Sequence, residues 1–528
     1  MSFALLTTLA FAGSPWADRF ELVDALGWAG DEREVRQWLR EARASDGVWS
    51  QSVRPGFRTG RARHRPLVAV EAELMESDGR RLVHLREAVV YSHRSRAAID
   101  TLTFRVFGNG EHVVPGSARV LDLRVDGQTV HHDLDGSLLT VELPTQLRRG
   151  DRARVWIELV EELQPFDPQR DLDGLEQVTA EDVGSLGHTP DAVHLGGFLP
   201  LLSPIDEEGR FDRRPLPVNG EYAVFDPINV HAVLNLPAGY GVATTGVALH
   251  DEEAAGRHTV VAVAADVRDF VVSMGRDVDV QTFEVDGLRV RILAPADEAL
   301  MARHLARWSR RSVEVLVDTY GPLSFAELDV VEGPLRIALG QEFPQLAVVD
   351  LHHKTGSYTR HTDHLWTVAH EIAHQWFSMD VGSDARDAPW IDEALATHGA
   401  SLVVEDMMGR RVVEDRHRAD VHEPIAELGP DGAMRADLPG EAYNIFQYSI
   451  LVYGRASLFI DAVRQELGAE RFSAAMQSYV DTHRHGMADA FELVDAFRDA
   501  SDTPEVIDAL FLRYIVGEGF TPEAPAED

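Results

Sequence analysis

The chain turns to a strand-like, almost wholly apolar run at Leu67-Val68-Ala69-Val70-Glu71-Ala72, and a period of two appears over residues 101–106 and 118–125. That spacing puts successive side chains on opposite faces of an extended chain and predicts half-buried strands. Asp126-Gly127 and Asp135-Gly136 interrupt the alternation with turn chemistry. Further strands are expected over 153–160, 230–236 and 258–264, so residues 67–280 read as an all-β domain. From about Leu288 the pattern lengthens toward the helical period. Residues 297–318 form a long amphipathic stretch, 335–349 are extended and apolar, and 365–377 are apolar around a few polar positions. More helices are expected around Glu393 and over 447–467, 471–482, 488–500 and 502–519. Residues 281–520 therefore read as a second, mainly helical domain, and the chain as a multidomain α+β protein. Ahead of the strands, residues 13–66 hold one short amphipathic helix (31–44) and a basic linker (54–66). The Pro-rich acidic tail, 521–528, reads as disordered.

Composition narrows the functional classes. A chain of 528 residues can bury two or three cores. A net charge of −37 argues against nucleic acid and against anionic membrane surfaces as partners. Lys354 is the sole lysine, a bias that high-GC coding or adaptation to salt would each produce. Cysteine is absent, so any metal must be held by histidine and carboxylate. Residues 1–12 contain a short apolar run that ends in Ala10-Phe11-Ala12, the pattern of a cleaved signal peptide without its usual leading cation. An exported protein, periplasmic or secreted, is one expectation; an ordinary apolar helix in a cytoplasmic protein is the other. No segment supplies about 18 consecutive apolar residues, so no integral membrane span is expected. The sequence leaves the oligomeric state open.

The chemistry concentrates in His370-Glu371-Ile372-Ala373-His374. On a helix, residues four apart project from one face, so His370 and His374 can close on one metal ion. Glu371 would stand beside that ion, placed to take a proton from water. Eighteen residues separate His374 from Glu393, whose carboxylate would complete a two-histidine, one-carboxylate set with a fourth position open. The apolar setting of residues 365–377 matters here, because a buried helix has no cheap reason to carry these polar groups unless something satisfies them.

The stretch from His370 through His374-Gln375-Trp376-Phe377, with Glu393 inside Trp390-Ile391-Asp392-Glu393-Ala394-Leu395-Ala396, resembles the M1 family of zinc aminopeptidases, the aminopeptidase N-like gluzincins. Asp392 stands where that family usually has Asn, and Ala394 where it has Gly. Gly197-Phe198-Leu199-Pro200-Leu201 and Val267-Arg268-Asp269-Phe270 resemble landmarks of the family's saddle-like β domain, and Tyr320-Gly321-Pro322-Leu323 the entry to its thermolysin-like catalytic domain. The family's large C-terminal helical domain has no counterpart here. The resemblance implies one Zn2+ per chain on His370, His374 and Glu393, with Glu371 as general base and peptides with a free N-terminus as substrates. It implies further that Glu342, in Gly340-Gln341-Glu342-Phe343-Pro344, binds the substrate's α-amine, although Phe343 takes the place of an Asn. Tyr453, in Tyr453-Gly454-Arg455-Ala456, would donate to the oxyanion, with Tyr443 and Tyr448 as rivals. His352, His353, His361 and His364 are expected in a solvated loop, His483 and His485 in a turn, and His398 in packing. Asp392 either orients a zinc-ligating histidine or starts its helix. Phe343 and the absent C-terminal domain motivate a second reading, a zinc endopeptidase or amide hydrolase of the same fold. A non-catalytic interaction scaffold is a third.

Overall fold

The computed structural model describes residues 47–57, 65–77, 79–110, 117–168, 185–217, 219, 225–336, 338–352, 361–428 and 434–522. The expected signal segment, the helix over 31–44, His353 and most of the tail lie outside the described residues. The β region is built on an eight-stranded sheet. Its centre is Leu67–Ser77, paired antiparallel with Arg80–Ser92 on one side and parallel with Ile228–Pro237 on the other. Two four-stranded sheets pack beside it. The strand pattern predicted from Leu67 is realised as a core of Val68, Val70, Leu85, Leu102, Phe104, Ile157 and Leu234, all buried.

The second half departs from expectation in one respect. It is not helical from Leu288 onward, because five strands, interrupted by one long helix, pair into a sheet before the helix that carries the motif. Its strand order is Val278–Val285, Leu288–Pro295, Glu327–Glu332, Leu346–Val349, Gly340–Phe343. The reason is visible in Leu288, Val290 and Ile292, which alternate inward with Arg289 and Arg291 between them. Helices then cover the sheet. The amphipathic helix Ala299–Tyr320 buries Leu305, Trp308, Val313 and Leu316. Trp390–Met408 is buried on every side from Trp390 to Val404, as a helix at the centre of a domain must be. It meets the helix His361–Ala373 at close range: a Cβ added to Gly399 would lie 2.7 Å from the Ala373 Cβ. That missing side chain lets the two helices that carry the polar motif approach each other.

The linker expected over 54–66 is, in its described part, docked rather than loose. Arg54 donates from its backbone to Ser324 O at 2.8 Å and from its side chain to Leu323 O at 3.1 Å. Buried Arg268 joins the two halves, donating to Phe225 O on the β side and to Met379 O and Gly486 O on the other. Asp269, beside it, accepts from the Gly197 amide at 3.0 Å. Among the described residues no helix is long and apolar enough to cross a membrane.

Burial pushes the Glu161 carboxyl up to about 8. Its carboxylate occupies the space that a side chain on Gly108 would take. An unfolded glutamate titrates near 4.5, so the folded chain binds the extra proton between that value and about 8. Stability from this group is full below the unfolded value and is lost as pH rises through about 8. Glu161→Gln is expected to remove that dependence. Its stability relative to the parent should rise by about 1.4 kcal/mol per pH unit between pH 5 and 8 in denaturant melts. A parallel pair of pH profiles would show the carboxyl to be unshifted.

Candidate metal centre and cleft

His370 and His374 sit on the last turn of the helix His361–Ala373 and just beyond it, and both are buried. Their Nε2 atoms are 3.0 Å apart. Glu393, on the first turn of Trp390–Met408, brings its Oε2 to 3.3 Å from His370 Nε2 and 3.4 Å from His374 Nε2. Among the described residues these three form the one group of His, Asp and Glu donors close enough to share a metal ion. Two nitrogens and an oxygen at those separations suit a tetrahedral zinc, with metal–ligand bonds near 2 Å and a fourth position left over.

The rings are also oriented for ligation. His374 Nδ1 lies 3.2 Å from Phe377 O, so the Nδ1–H donates there and leaves the Nε2 lone pair facing inward. His370 Nδ1 lies 3.4 Å from Thr397 Oγ1, one turn beyond Glu393. Electrostatics ask for a cation at the same point. Burial disfavours a charged His374, yet Glu342, Glu393 and Glu371 outweigh it and hold its ring well above the ordinary imidazole value. Burial likewise raises Glu393, but its hydrogen bonds with the two imidazoles bring it down to about 2.

The other expected residues gather around this group. Glu371 is buried beside it. Glu342, on the edge strand Gly340–Phe343, places its Oε1 4.0 Å from His374 Nε2. Tyr453 donates its hydroxyl to Glu393 Oε1, and its ring stacks on His370 at 5.6 Å. Tyr453 rides on a π-helical segment, Tyr448–Arg455, the kind of irregular turn that re-aims a side chain at a site. Arg455 pins that segment, donating to Tyr514 O at 2.8 Å and to Met434 O. Glu342, Glu371, Tyr453 and the three donors face one cleft of about 850 Å³, which also exposes Trp366, Arg416, Asp420, Glu427 and Phe446. That size accommodates a short peptide.

The rival tyrosines are placed differently. Tyr443 donates to Arg435 O and accepts from the Leu438 amide, and Tyr448 packs edge-on between Tyr443 and Tyr453. Asp392 accepts from the Glu393 amide at 3.0 Å. His398 is buried, 3.2 Å from the Tyr320 hydroxyl and edge-on to Phe472, in packing as expected. His361 and His364 are not in a loop. They occupy the first turn of the motif's own helix, packed around Trp308. Helix formation there begins earlier than the apolar run suggested, with Asp363 in the favourable first turn.

Phe343 does not enter the cleft. It is buried among Leu293, Val331, Leu346 and Val348, and a Cβ on Gly196 of the β region would fall 2.8 Å from its ring. Strand alternation explains this, since Glu342 faces the cleft and its neighbours face away. Gln375 was not singled out from sequence. It donates to Phe343 O at 3.0 Å and accepts from the Gln345 amide at 2.8 Å. It thereby ties the turn after Glu342 to the end of the His370 helix. Thr397 was missed as well, although its place four residues after Glu393 put it on the right face.

Residues 344–514 match the model of the peptidase family M1 domain. The chain is 27% identical over 151 residues to the Tricorn protease-interacting factor F2 of Thermoplasma acidophilum, a stretch that is 26% of this chain and 18% of that relative. It is 29% identical over 140 residues to the aminopeptidase N of Lactobacillus delbrueckii subsp. lactis, covering 26% and 16%. The matched stretches thus span under a fifth of these relatives. The fold extends further. The M1 zinc metallopeptidase of Deinococcus radiodurans superposes with a TM-score of 0.58 at 18% identity, over 88% of this chain and 97% of that one. A mutant of it bound to a Tyr-Ser-Ala substrate gives 0.59, over 89% and 96%. Like those structures, the chain sets a β-rich half before a helix-covered half, and over residues 344–514 it is similar to the peptidase family M1 domain.

Metal bound only to the folded state adds about 1.4 kcal/mol of stability for each tenfold excess over its dissociation constant. Chelation is therefore expected to lower the melting temperature, and added zinc to restore it. A His374→Ala protein should respond to neither. An unchanged melt on chelation of a protein shown by elemental analysis to carry zinc would contradict the three-donor assignment.

Proposed function

We propose that the chain is a zinc aminopeptidase that removes residues from the free N-terminus of peptides, using one zinc per chain. The observation that carries this reading is the position of Glu342, a carboxylate at the cleft wall 4.0 Å from a nitrogen of the donor group. An α-ammonium bound there lies one residue's length from the reacting carbonyl, so the first peptide bond is the one presented. A buried carboxylate is a strong partner for an ammonium. The relatives named aminopeptidase N and the Tyr-Ser-Ala complex of the Deinococcus enzyme support the same substrate class.

His370, His374 and Glu393 would hold the ion, which supplies polarisation of the carbonyl and acidification of water. Glu371 takes the proton from the attacking water and passes it to the leaving amine. Tyr453, which burial and then Glu393 push well above the ordinary phenol value, stays protonated and donates to the developing oxyanion. The endopeptidase reading drew on Phe343 standing near the amine anchor. Phe343, one of the two grounds for that reading, is packed between the two halves and does not enter the cleft.

Glu371→Ala is expected to keep its zinc and lose turnover by a factor of about 100 to 10,000, the range general-base removal gives. Glu342→Ala should chiefly raise KM for free peptides. Zinc analysis alongside steady-state kinetics checks both. A Glu371→Ala protein as active as the parent would remove the base assignment.

A further inference from the structure

We propose that Gly340 is a positioning residue for the base: its missing side chain is the space in which the Glu371 side chain stands. The inference rests on the reading of Glu371 given above. A Cβ built on Gly340 would lie 2.3 Å from Glu371 Oε1 and 2.5 Å from both its Cδ and Cγ. Carboxylate oxygens can swing aside, but Cγ moves only if the helix residue changes its χ1 rotamer, which a helix restricts. Conformation is not the reason for glycine here, since the backbone of Gly340 is not in the left-handed region. The reason is room.

The strand cannot readily supply that room by retreating. Gly340–Phe343 is an edge strand, paired only with Leu346–Val349, with Gly340 opposite Val349. Gln375 fastens the turn at its end to the helix that carries Glu371. Just before Gly340, Leu339 O accepts from the Asp350 amide at 2.9 Å, so the strand is tied at both ends and a methyl group on residue 340 acts on Glu371. Gly340 and Glu342 are two apart, hence on one face of the strand, and both line the cleft. One strand face thereby serves two ends of the reaction: Glu342 the amine, Gly340 the base.

Gly340→Ala is expected to keep zinc and KM while kcat falls about 100-fold or more, the scale of a misplaced general base. Glu371→Asp, one methylene shorter, lowers kcat in the parent but should cost little or recover activity in the Gly340→Ala background. A loss of strand structure alone would not produce that coupling. A crystal structure of Gly340→Ala reads the same point without activity, with Glu371 expected to have left its place over residue 340. Full kcat in Gly340→Ala, independent effects in the double variant, or an unmoved Glu371 would each overturn the inference. If the parent protein cleaves no free peptide at all, the aminopeptidase reading fails instead, and the crystal structure still decides whether Gly340 makes the room.

Discussion

Two imidazole nitrogens and a carboxylate oxygen, all on buried side chains, meet within 3.4 Å of one another at the floor of the cleft. Such a group demands a cation, because three electron-rich atoms at low dielectric are costly without one. The rest of the site is organised by that demand. The Phe377 carbonyl and the Thr397 hydroxyl take up the outer imidazole nitrogens, so the inner lone pairs have nothing to do but bind. Glu342, Glu371 and Tyr453 are then arrayed around the one point where positive charge is wanted.

The separation of a few elements makes this geometry reproducible. Gly399 lets the two motif-bearing helices come within side-chain-free distance. Gln375 holds the Glu342 strand to the end of the first of them. Arg455 holds the π-helical segment of Tyr453 to the chain's last helical turns. Each is a buried polar group or a missing side chain, and none touches the cleft's reacting atoms. The β half contributes by packing: Gly196 receives the Phe343 ring, and Arg268 reaches across to Met379 and Gly486. The β half thereby braces the back of the strand whose front face lines the cleft.

Legibility in the sequence followed the range of the interactions. His370, His374 and Glu371 could be read because a helix converts a spacing of four into a shared face, and Glu393 because it stands eighteen residues beyond His374 in a stretch that resembles a known motif. Strands such as Ala118–Val125 could be read because period two survives wherever one face is buried. Of the five-stranded sheet only the extended apolar run over 335–349 was read from sequence; Leu288–Pro295 and Glu327–Glu332 were overlooked because these short strands flank a long helix. Phe343 looked like an intrusion on the amine anchor because only the folded strand shows which way it faces. Gln375 and Thr397 act through single hydrogen bonds to distant backbone or ring atoms, and no local pattern announces such bonds.

We propose that a metal-centred cleft acts on peptides held by their free amine. The most direct test is hydrolysis of one peptide with a free N-terminus beside its N-acetylated twin, each with and without a zinc chelator. The account predicts release of the first residue from the free peptide alone, abolished by the chelator. Equal cleavage of the acetylated twin would contradict it, because Glu342 would then not govern which bond reaches the metal.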